Sequence, residues 1–267
     1  MKNNAERGPT ITIAVISHEQ IHLVENLLNS LQGFSNAGLH VVVLENAQNQ
    51  PTLHDKEYHF QLTYLKNDKL KSLAANINHV FDNFGRSSEY FCILNPDVVF
   101  EEEVFLELLS RMDKHRIDIS SPIVVDHSGI IQDTFRPLPK PLETALRFLN
   151  LNKINYEFEA LPPISYPDWI AGVFMLMPSE VFEQVGGYNL RYPLYFEDVE
   201  FCIRARLKGY QIGVSKNLKV VHDAQRSSHR KARFFFKHFY STLVFFSSEE
   251  HRLFKQRRKQ INNPVKS

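Results

Sequence analysis

The segment NPD at residues 95–97 places a carboxylate directly after a run of apolar residues, FCIL at 91–94. Carboxylate oxygens are hard ligands, and Mg²⁺ commonly takes one or two of them together with the phosphate oxygens of a substrate. Asp97 is therefore a candidate ligand for a divalent cation at the end of a buried strand. Asn, Pro and Asp are also common turn formers, so a simple turn explains the segment equally well. The segment alone does not decide between the two.

A second acidic segment, YFEDVEF at 195–201, contains Glu197, Asp198 and Glu200 beside aromatic side chains. A carboxylate at the wall of an apolar pocket becomes more basic and can act as a general base. Acidic residues are also favourable in the first turn of any helix, which gives the segment a structural explanation. Its aromatic neighbours favour the functional interpretation.

His222 closes the apolar run LKVVH at 218–222, and polar residues follow it at 223–229. A lone histidine at a strand end is more often structural than a ligand. The density of polar residues after this strand favours a site.

Apolar runs alternate with helical stripes over the first hundred or so residues. Short apolar runs predict strands, and apolar residues spaced three and four apart predict helices. The predicted strands are 11–16, 39–44, 62–65 and 90–94, and the predicted helices are 21–31, 73–84 and 101–116. This alternation predicts an α/β fold with a mostly parallel sheet.

In a parallel sheet the carboxyl ends of the strands share one edge, where open α/β sheets bind their ligands. Polar residues follow three of the first four strands, at Ser17-His18, Glu45-Asn46 and 95–97, with Asn67 and Asn76 as candidates nearby. Several converging polar ends predict a ligand crevice at that edge.

The second half of the chain is less regular. Prolines between 137 and 167 indicate an irregular crossing segment, and WIAGVFMLM at 169–177 is strand-like. Helices are predicted from Ser179 to the glycines at 186–187 and from about Glu197 to Lys208. Two short strands, QIGVS at 211–215 and LKVVH, are expected after them.

Composition and charge exclude some classes. The chain has 267 residues, 43% hydrophobic and 23% charged, with a formal net charge of +1. Such a balance gives no global field that favours nucleic acid, and we expect no nucleic-acid partner. Two cysteines inside apolar segments indicate a reducing compartment, and the polar N-terminus is unlike a signal peptide. We expect a cytoplasmic protein.

The C-terminal residues are crowded with aromatic and basic side chains, in RFFFKHFYSTLVFF at 233–246 and HRLFKQRRKQ at 251–260. One interpretation is a helix that packs on the core, with a solvated charged end. The other is a peripheral contact with the cytoplasmic face of the inner membrane, because anionic headgroups attract basic residues. The sequence leaves both open.

The ordered series VISH, VVVLEN, LKNDKLKSLAANIN, ILNPDV, WIAGVFMLMP, YFEDVEFCIRARLKG and VVHDAQRSS resembles the inverting family 2 glycosyltransferases of GT-A fold. The similarity is greatest to bacterial rhamnosyltransferases that build O-antigen and related cell-surface glycans. It implies a Rossmann-like central sheet flanked by helices, in a glycosyltransferase domain at 1–228. A helical, basic and aromatic extension is expected at 229–267.

The resemblance also implies partners and a cofactor. It implies a nucleotide-sugar donor (a dTDP- or UDP-sugar, with L-rhamnose from dTDP-rhamnose favoured) and a lipid-linked or oligosaccharide acceptor. A divalent cation, Mg²⁺ or Mn²⁺, would neutralise the leaving nucleoside diphosphate.

Each site residue of the family has a counterpart here. The resemblance implies donor contacts for Ser17, His18, Glu45, Asn67, Asn76 and Asn95. It implies metal contacts for Asp97 and His222, and acceptor contacts for Trp169 and Gly172. Asp198 corresponds to the family's catalytic base, and Glu197 beside it is expected to position or bind the acceptor.

The sequence departs from the family pattern in the donor region. Glu45 replaces the more common Asp, Asn95 replaces the first Asp of Asp-x-Asp, and KLKSL at 69–73 replaces a glycine-containing loop. These changes keep open a catalytically silent homologue that serves as a binding subunit. A nucleotidyltransferase is a further alternative, but ITIAVISHEQIHLVEN lacks the expected basic, glycine-rich phosphate loop.

Overall fold

A mixed β-sheet forms the centre of the chain. The computed structural model describes residues 8–34, 38–47, 53, 56–148, 160–222 and 231–262. The strands within these ranges are β1 (Ile11–Ser17), β2 (Leu39–Glu45), β3 (Gln61–Lys66), β4 (Tyr90–Leu94), β5 (Val98–Val99), β6 (Ile119–Val125), β7 (Phe135–Arg136), β8 (Ile164–Ser165), β9 (Trp169–Ile170), β10 (Phe174–Pro178) and β11 (Ile212–His222).

The strand order is β3-β2-β1-β4-β10-β6-β11-β5, and β8 also pairs with β11. The first four of these strands are mutually parallel, as are β6 and β11. β10 is antiparallel to both of its neighbours, and β7 and β9 form a separate small sheet. The prediction of an α/β fold with a mostly parallel, Rossmann-like sheet is confirmed.

Helices cover both faces of the sheet. They are α1 (Ile21–Leu31), α2 (Leu73–Asn83), α3 (Glu102–His115), α4 (Pro141–Phe148), α5 (Ser179–Val185), α6 (Glu197–Leu207), α7 (Lys231–Ser247) and α8 (Glu249–Asn262). One core contains the apolar stripes of α1 and α3, and the other contains those of α2, α5 and α6. Because side chains alternate along β1, Ile13 and Val15 enter the first core and Ala14 the second. Burial on both faces explains why β1 is a continuous apolar run.

Three predicted strands differ from the structure. Residues 212–222 form one long strand, β11, with a register shift between Ser215 and Lys219, where two short strands were expected. The segment 169–177 is instead divided into β9 and β10, because residues 171–173 turn away from the sheet. A side chain at Gly172 would come within 3.1 Å of the Tyr188 hydroxyl, so glycine allows this close approach.

The C-terminal extension is helical, as predicted, in the part that the structure describes. None of the described helices is both long enough and apolar enough to span a bilayer. The proposed boundary between residues 228 and 229 lies outside the described residues, as do the polar residues 223–229.

Candidate active site

The carboxyl ends of β1 and β2 form one wall of the site. Ser17 and Glu45 are paired in register, and the Ser17 hydroxyl donates to Oε2 of Glu45 at 2.5 Å. The backbone N–H of Glu19 donates to Oε1 of Glu45 at 3.1 Å. Nδ1 of His18 lies 2.9 Å from the carbonyl oxygen of Asn46. These hydrogen bonds hold the buried carboxylate of Glu45 in place and join the two strand ends.

Three asparagine side chains extend this wall. Nδ2 of Asn67 donates to Oδ1 of Asn46 at 2.9 Å and to Oδ1 of Asn76 at 2.8 Å. Asn46 also exchanges hydrogen bonds at 3.0 Å with the backbone N–H and carbonyl of Lys71. The network therefore fixes the loop at 69–73 against the ends of β2 and β3. Within the described part of the chain, Nδ2 of the fully buried Asn76 has no hydrogen-bond acceptor.

Antiparallel pairing of β5 with β11 brings the NPD segment to His222. Val98 is paired with His222, and the preceding Asp97 places Oδ1 3.2 Å from Nε2 of His222. Nδ2 of Asn95 lies 3.5 Å from the same nitrogen. The structure thus joins three predicted site residues that are about 125 positions apart in sequence. Both the Asp97 and the His222 side chains are mostly buried.

Gln132 determines which nitrogen of His222 carries the proton. Its amide Nε2 donates to the His222 carbonyl oxygen at 2.7 Å, which orients Oε1 toward Nδ1 of His222, also at 2.7 Å. Since Oε1 can only accept, Nδ1 must donate. In a neutral imidazole Nε2 then carries a lone pair, and that lone pair faces the carboxylate of Asp97.

When His222 is neutral, Nε2 and the Asp97 carboxylate are two acceptors that face each other at 3.2 Å, an arrangement that fits a shared cation. A ligating histidine whose other ring nitrogen donates to a protein oxygen is the usual arrangement in metal sites. No group of three or more His, Cys, Asp or Glu side chains suited to a metal occurs among the described residues. Mg²⁺ and Mn²⁺ accept hard oxygen ligands, and Mg²⁺ sites in particular use few protein ligands when substrate phosphates supply the rest. Asp97 and His222 therefore fit a divalent cation that a phosphate-containing substrate helps to bind.

The acidic pair stands at the start of α6. Tyr195 and Phe196 both adopt left-handed backbone conformations, with φ of 63° and 68°. Such residues are uncommon and cluster at functional sites, where the surrounding structure holds them. The Phe196 ring packs against Phe245 of α7, with ring centroids 5.0 Å apart. This turn comes directly before Glu197 and Asp198, which lie in the first turn of α6.

Burial raises the pKa of both carboxyl groups. Desolvation raises the pKa of Glu197 to about 8, and the charge of Asp198 adds to this shift. Desolvation also raises the pKa of Asp198, although the N–H groups of Gly172 and Val199 counteract it by donating to its two oxygens at 3.1 and 2.8 Å. A carboxylate of raised basicity that is still hydrogen-bonded suits a general base.

A pocket of about 520 Å³ opens in front of Asp198. Its walls include Trp169, Tyr195, Phe196 and His238. The indole Nε1 of Trp169 donates to the carbonyl of Pro137 at 3.1 Å, which fixes the ring. Aromatic walls around one carboxylate fit an amphipathic ligand such as a sugar ring.

Residues 172 and 173 connect the acidic pair to the Asp97–His222 pair. The N–H of Gly172 donates to Asp198, while the carbonyl of Val173 accepts from the N–H of Asn95 at 2.9 Å. Both parts of the site are therefore held by the same turn between β9 and β10. Backbone groups of this turn make both contacts, one with the Asp198 side chain and one with the backbone of Asn95.

Glu200, the third acidic residue of the segment, is structural. It is fully buried and accepts from Nε and Nη2 of Arg204 at 2.8 and 2.9 Å. Nδ2 of Asn189 also donates to it, at 3.2 Å. With its oxygens engaged in this way, Glu200 is not available as a base.

Several residues of the site carried no signal in the sequence. Gln132 lies in a loop and meets His222 only through tertiary structure, and Asn46 was noticed only as the neighbour of Glu45. His238, on α7, contributes to the pocket because its ring packs against that of Tyr195, with the two ring centroids 4.6 Å apart. The role of Gln132, whose side chain bonds both the carbonyl and the imidazole of His222, can be recognised only from the fold.

Comparison with known proteins gives a consistent family. Residues 12–170 match the family model described as "Glycosyl transferase family 2". "Rhamnosyltransferase WbbL" of Escherichia coli (strain K12) is 23% identical over 237 residues, which cover 86% of this chain and 88% of that protein. The "N-acetylglucosaminyl-diphospho-decaprenol L-rhamnosyltransferase" of Mycobacterium tuberculosis is 26% identical over 169 residues, covering 59% of this chain and 54% of that protein.

A solved structure supports the fold. The structure of GalNAc-T7 with UDP, GalNAc and Mn²⁺ superposes with a TM-score of 0.65 at 13% sequence identity. The match covers 96% of this chain and 51% of GalNAc-T7, so this chain spans about half of that longer enzyme. At this identity the similarity establishes the GT-A fold alone.

Proposed function

The chain belongs to glycosyl transferase family 2, and we propose that it transfers a sugar from a nucleotide donor to an acceptor hydroxyl with inversion at the anomeric carbon. One observation carries the proposal. Asp97 contacts His222, and the turn at residues 172–173 connects this pair to the buried Asp198, because its N–H at Gly172 donates to Asp198 and its carbonyl at Val173 accepts from Asn95. Inverting transfer needs a base for the acceptor hydroxyl and stabilisation of the departing diphosphate, and it needs no protein nucleophile.

The proposed donor is a nucleotide sugar, with dTDP-L-rhamnose favoured because relatives named as rhamnosyltransferases match most of this chain. Ser17, His18 and Glu45 would contact the nucleotide at the ends of β1 and β2. Asn67 and Asn76 would continue this wall, and Asn76 has a buried amide donor to offer.

Asp97 and His222 would hold a divalent cation, with Asn95 beside them. Such a cation, once bound, neutralises the charge that develops on the departing diphosphate. The arrangement of Gln132, His222 and Asp97 supports this role without a second protein carboxylate. Asn95 therefore does not need to be an aspartate.

Asp198 would take the proton from the acceptor hydroxyl as the hydroxyl attacks the anomeric carbon. The acceptor sugar would lie in the aromatic pocket against Trp169, and Gly172 would act through its hydrogen bond to Asp198. Glu197, whose pKa is about 8, would be largely protonated near neutral pH and would position the acceptor. The natural acceptor is proposed to be a lipid-linked sugar or glycan in bacterial surface polysaccharide synthesis, such as O-antigen.

A peripheral membrane contact through α7 is part of the proposal. One face of α7 is buried through Phe245 and Ser241, which supports the core-packing interpretation of the extension. The opposite face exposes four large apolar residues at helical spacing: Phe236, Phe239, Tyr240 and Leu243. An amphipathic helix of this kind can rest on a lipid surface near a lipid-linked acceptor. We propose that this places the enzyme at the cytoplasmic face of the membrane.

Release of nucleoside diphosphate from a panel of sugar nucleotides, with Mn²⁺ or with EDTA, tests the proposal. We expect release with Mn²⁺ from at least one donor, and severe loss in EDTA and in Asp97→Ala. Activity in EDTA equal to that with Mn²⁺ would refute the role of the cation. A folded protein that binds donors but releases nothing, with any acceptor, would instead identify a silent homologue.

A further inference from the structure

A second pocket, of about 440 Å³, opens beside the acceptor pocket. It is lined by Lys140, His251, Lys255, Arg258 and Lys259, and Pro139 borders both pockets. Four of the five polar lining residues come from α8, which the proposed reaction does not use. The two pockets are therefore neighbours, and the second is lined by four cationic side chains, Lys140, Lys255, Arg258 and Lys259.

Three cations, Lys255, Arg258 and Lys259, face this pocket together with His251 because of their spacing on α8. Residues 251, 255, 258 and 259 follow a helical period and occupy one face. On another face, Phe254 is buried, and Nη1 of Arg257 donates to the carbonyls of Arg206 and Leu207 at 3.1 and 2.9 Å. These contacts dock α8 against the end of α6 and fix its orientation. The cationic face cannot rotate away from the pocket without breaking them.

Two of the cations have acidic partners and two do not. Arg258 lies 2.8 Å from Asp168, and Lys140 lies 2.7 Å from Glu143. Lys255 and Lys259 form no salt bridge with any residue in the described ranges, and both are exposed to the pocket. Two unpaired ammonium groups four residues apart are one helical turn from each other, which suits a ligand carrying two negative charges.

We propose that this pocket binds the diphosphate of a lipid-linked acceptor, an inference that rests on the proposed transferase function. In such an acceptor the first phosphorus is bonded to the anomeric oxygen of the sugar. A sugar placed against Asp198 in the first pocket therefore brings its phosphates close to the neighbouring cationic pocket. The cationic pocket selects acceptors with a diphosphate over neutral glycans and orients the sugar toward the base.

Calorimetric titration with undecyl diphosphate in EDTA tests this assignment. EDTA removes the cation on which diphosphate binding at the donor site depends, so the measurement reports on the cationic pocket. We expect wild type to bind, and Lys255→Glu/Lys259→Glu to bind at least about tenfold more weakly, because charge-assisted hydrogen bonds are lost. Both lysines are exposed, so the double variant should keep its fold, which circular dichroism and thermal unfolding will verify. Arg252→Glu, on the same helix but paired with Glu249 outside the pocket, is the matched control and should bind like wild type.

Several outcomes of the binding measurements would overturn the assignment. Equal binding by wild type and the double variant, or no binding by wild type, would refute it. Binding that Asp97→Ala abolishes would place the diphosphate at the donor site. If the double variant no longer pelleted with phosphatidylglycerol vesicles but still bound undecyl diphosphate, the lysines would contact lipid headgroups instead. Donor hydrolysis measured on the same samples separates the two proposals: a wild type that binds undecyl diphosphate through Lys255 but hydrolyses no sugar nucleotide would refute the transferase function only.

Discussion

Gln132→Leu removes the oxygen that accepts from Nδ1 of His222 while nearly preserving the volume of the side chain. The imidazole is then free to place its proton on Nε2, the nitrogen that faces Asp97 at 3.2 Å. A protonated Nε2 cannot ligate a cation. Changes at such supporting residues typically lower metal affinity by about 10–100-fold, which corresponds to roughly 1.4–2.7 kcal/mol. We expect the affinity of Gln132→Leu for Mn²⁺, measured in the presence of dTDP, to fall by a factor within this range.

The assay is electron paramagnetic resonance of free Mn²⁺ at a fixed concentration of dTDP, corrected for the complex of Mn²⁺ with dTDP alone. Long-range ¹H–¹⁵N correlation spectra report the tautomer directly, and His222→Ala identifies the signals of His222 among the 12 histidines. Gln132→Glu keeps an acceptor for Nδ1 and should retain most of the affinity. In the His222→Ala background, Gln132→Leu should have no further effect. A Gln132→Leu variant with wild-type Mn²⁺ affinity and an unchanged tautomer would refute the reasoning about Gln132. If Asp97→Ala lost Mn²⁺ affinity while Gln132→Leu kept it, the role of Asp97 as a ligand would still stand.

Further predictions concern stability. Folding raises the pKa of Glu197 from 4.5 to about 8, so the folded protein holds a proton that the unfolded chain releases, and stability falls as pH rises from about 4.5 through 8. Glu197→Gln should therefore unfold at a higher temperature than wild type at pH 8 and at nearly the same temperature at pH 4.5. A difference in unfolding temperature that stays constant across this pH range would contradict the shift. Phe245→Ala should lose about 3–5 kcal/mol in denaturant unfolding because its ring is fully buried against Phe196. The Phe236 side chain is 69% exposed, so Phe236→Ala should keep a free energy of unfolding within about 0.5 kcal/mol of wild type but pellet less with anionic vesicles. A large loss of stability with unchanged pelleting would refute both the exposed position and the membrane contact.

The alternating strands and helices of the first hundred residues were predictable because each element carries its own period. The apolar run of β1 and the apolar stripe of α1 are local signals, and burial in the two cores agrees with them. The direction of β10 was not predictable, since strand pairing depends on residues far apart in sequence. The continuity of β11 through its irregularity at 215–219 was missed because its polar residues resemble a turn.

For the site, the sequence indicated which polar residues gather at the sheet edge but not how they are held. Asp97 and His222 were both predicted, yet their contact depends on the two-residue strand β5, which is too short to give a pattern. Gln132 has no local signal of any kind. The cationic face of α8 was visible as a basic cluster, but the pocket it faces is formed with the irregular segment around Pro139. Long-range packing, which no periodicity records, supplies these parts.

Turnover of Asp198→Asn at saturating donor and acceptor tests the central claim most directly. Asparagine keeps the size of the side chain and can still accept the hydrogen bond from Gly172, but it cannot take a proton from the acceptor hydroxyl. We predict transfer slowed by about 10²–10⁴-fold, with donor affinity and folding nearly unchanged. Wild-type turnover in a folded, donor-saturated Asp198→Asn would contradict the assignment of the base and would make Glu197 the remaining candidate.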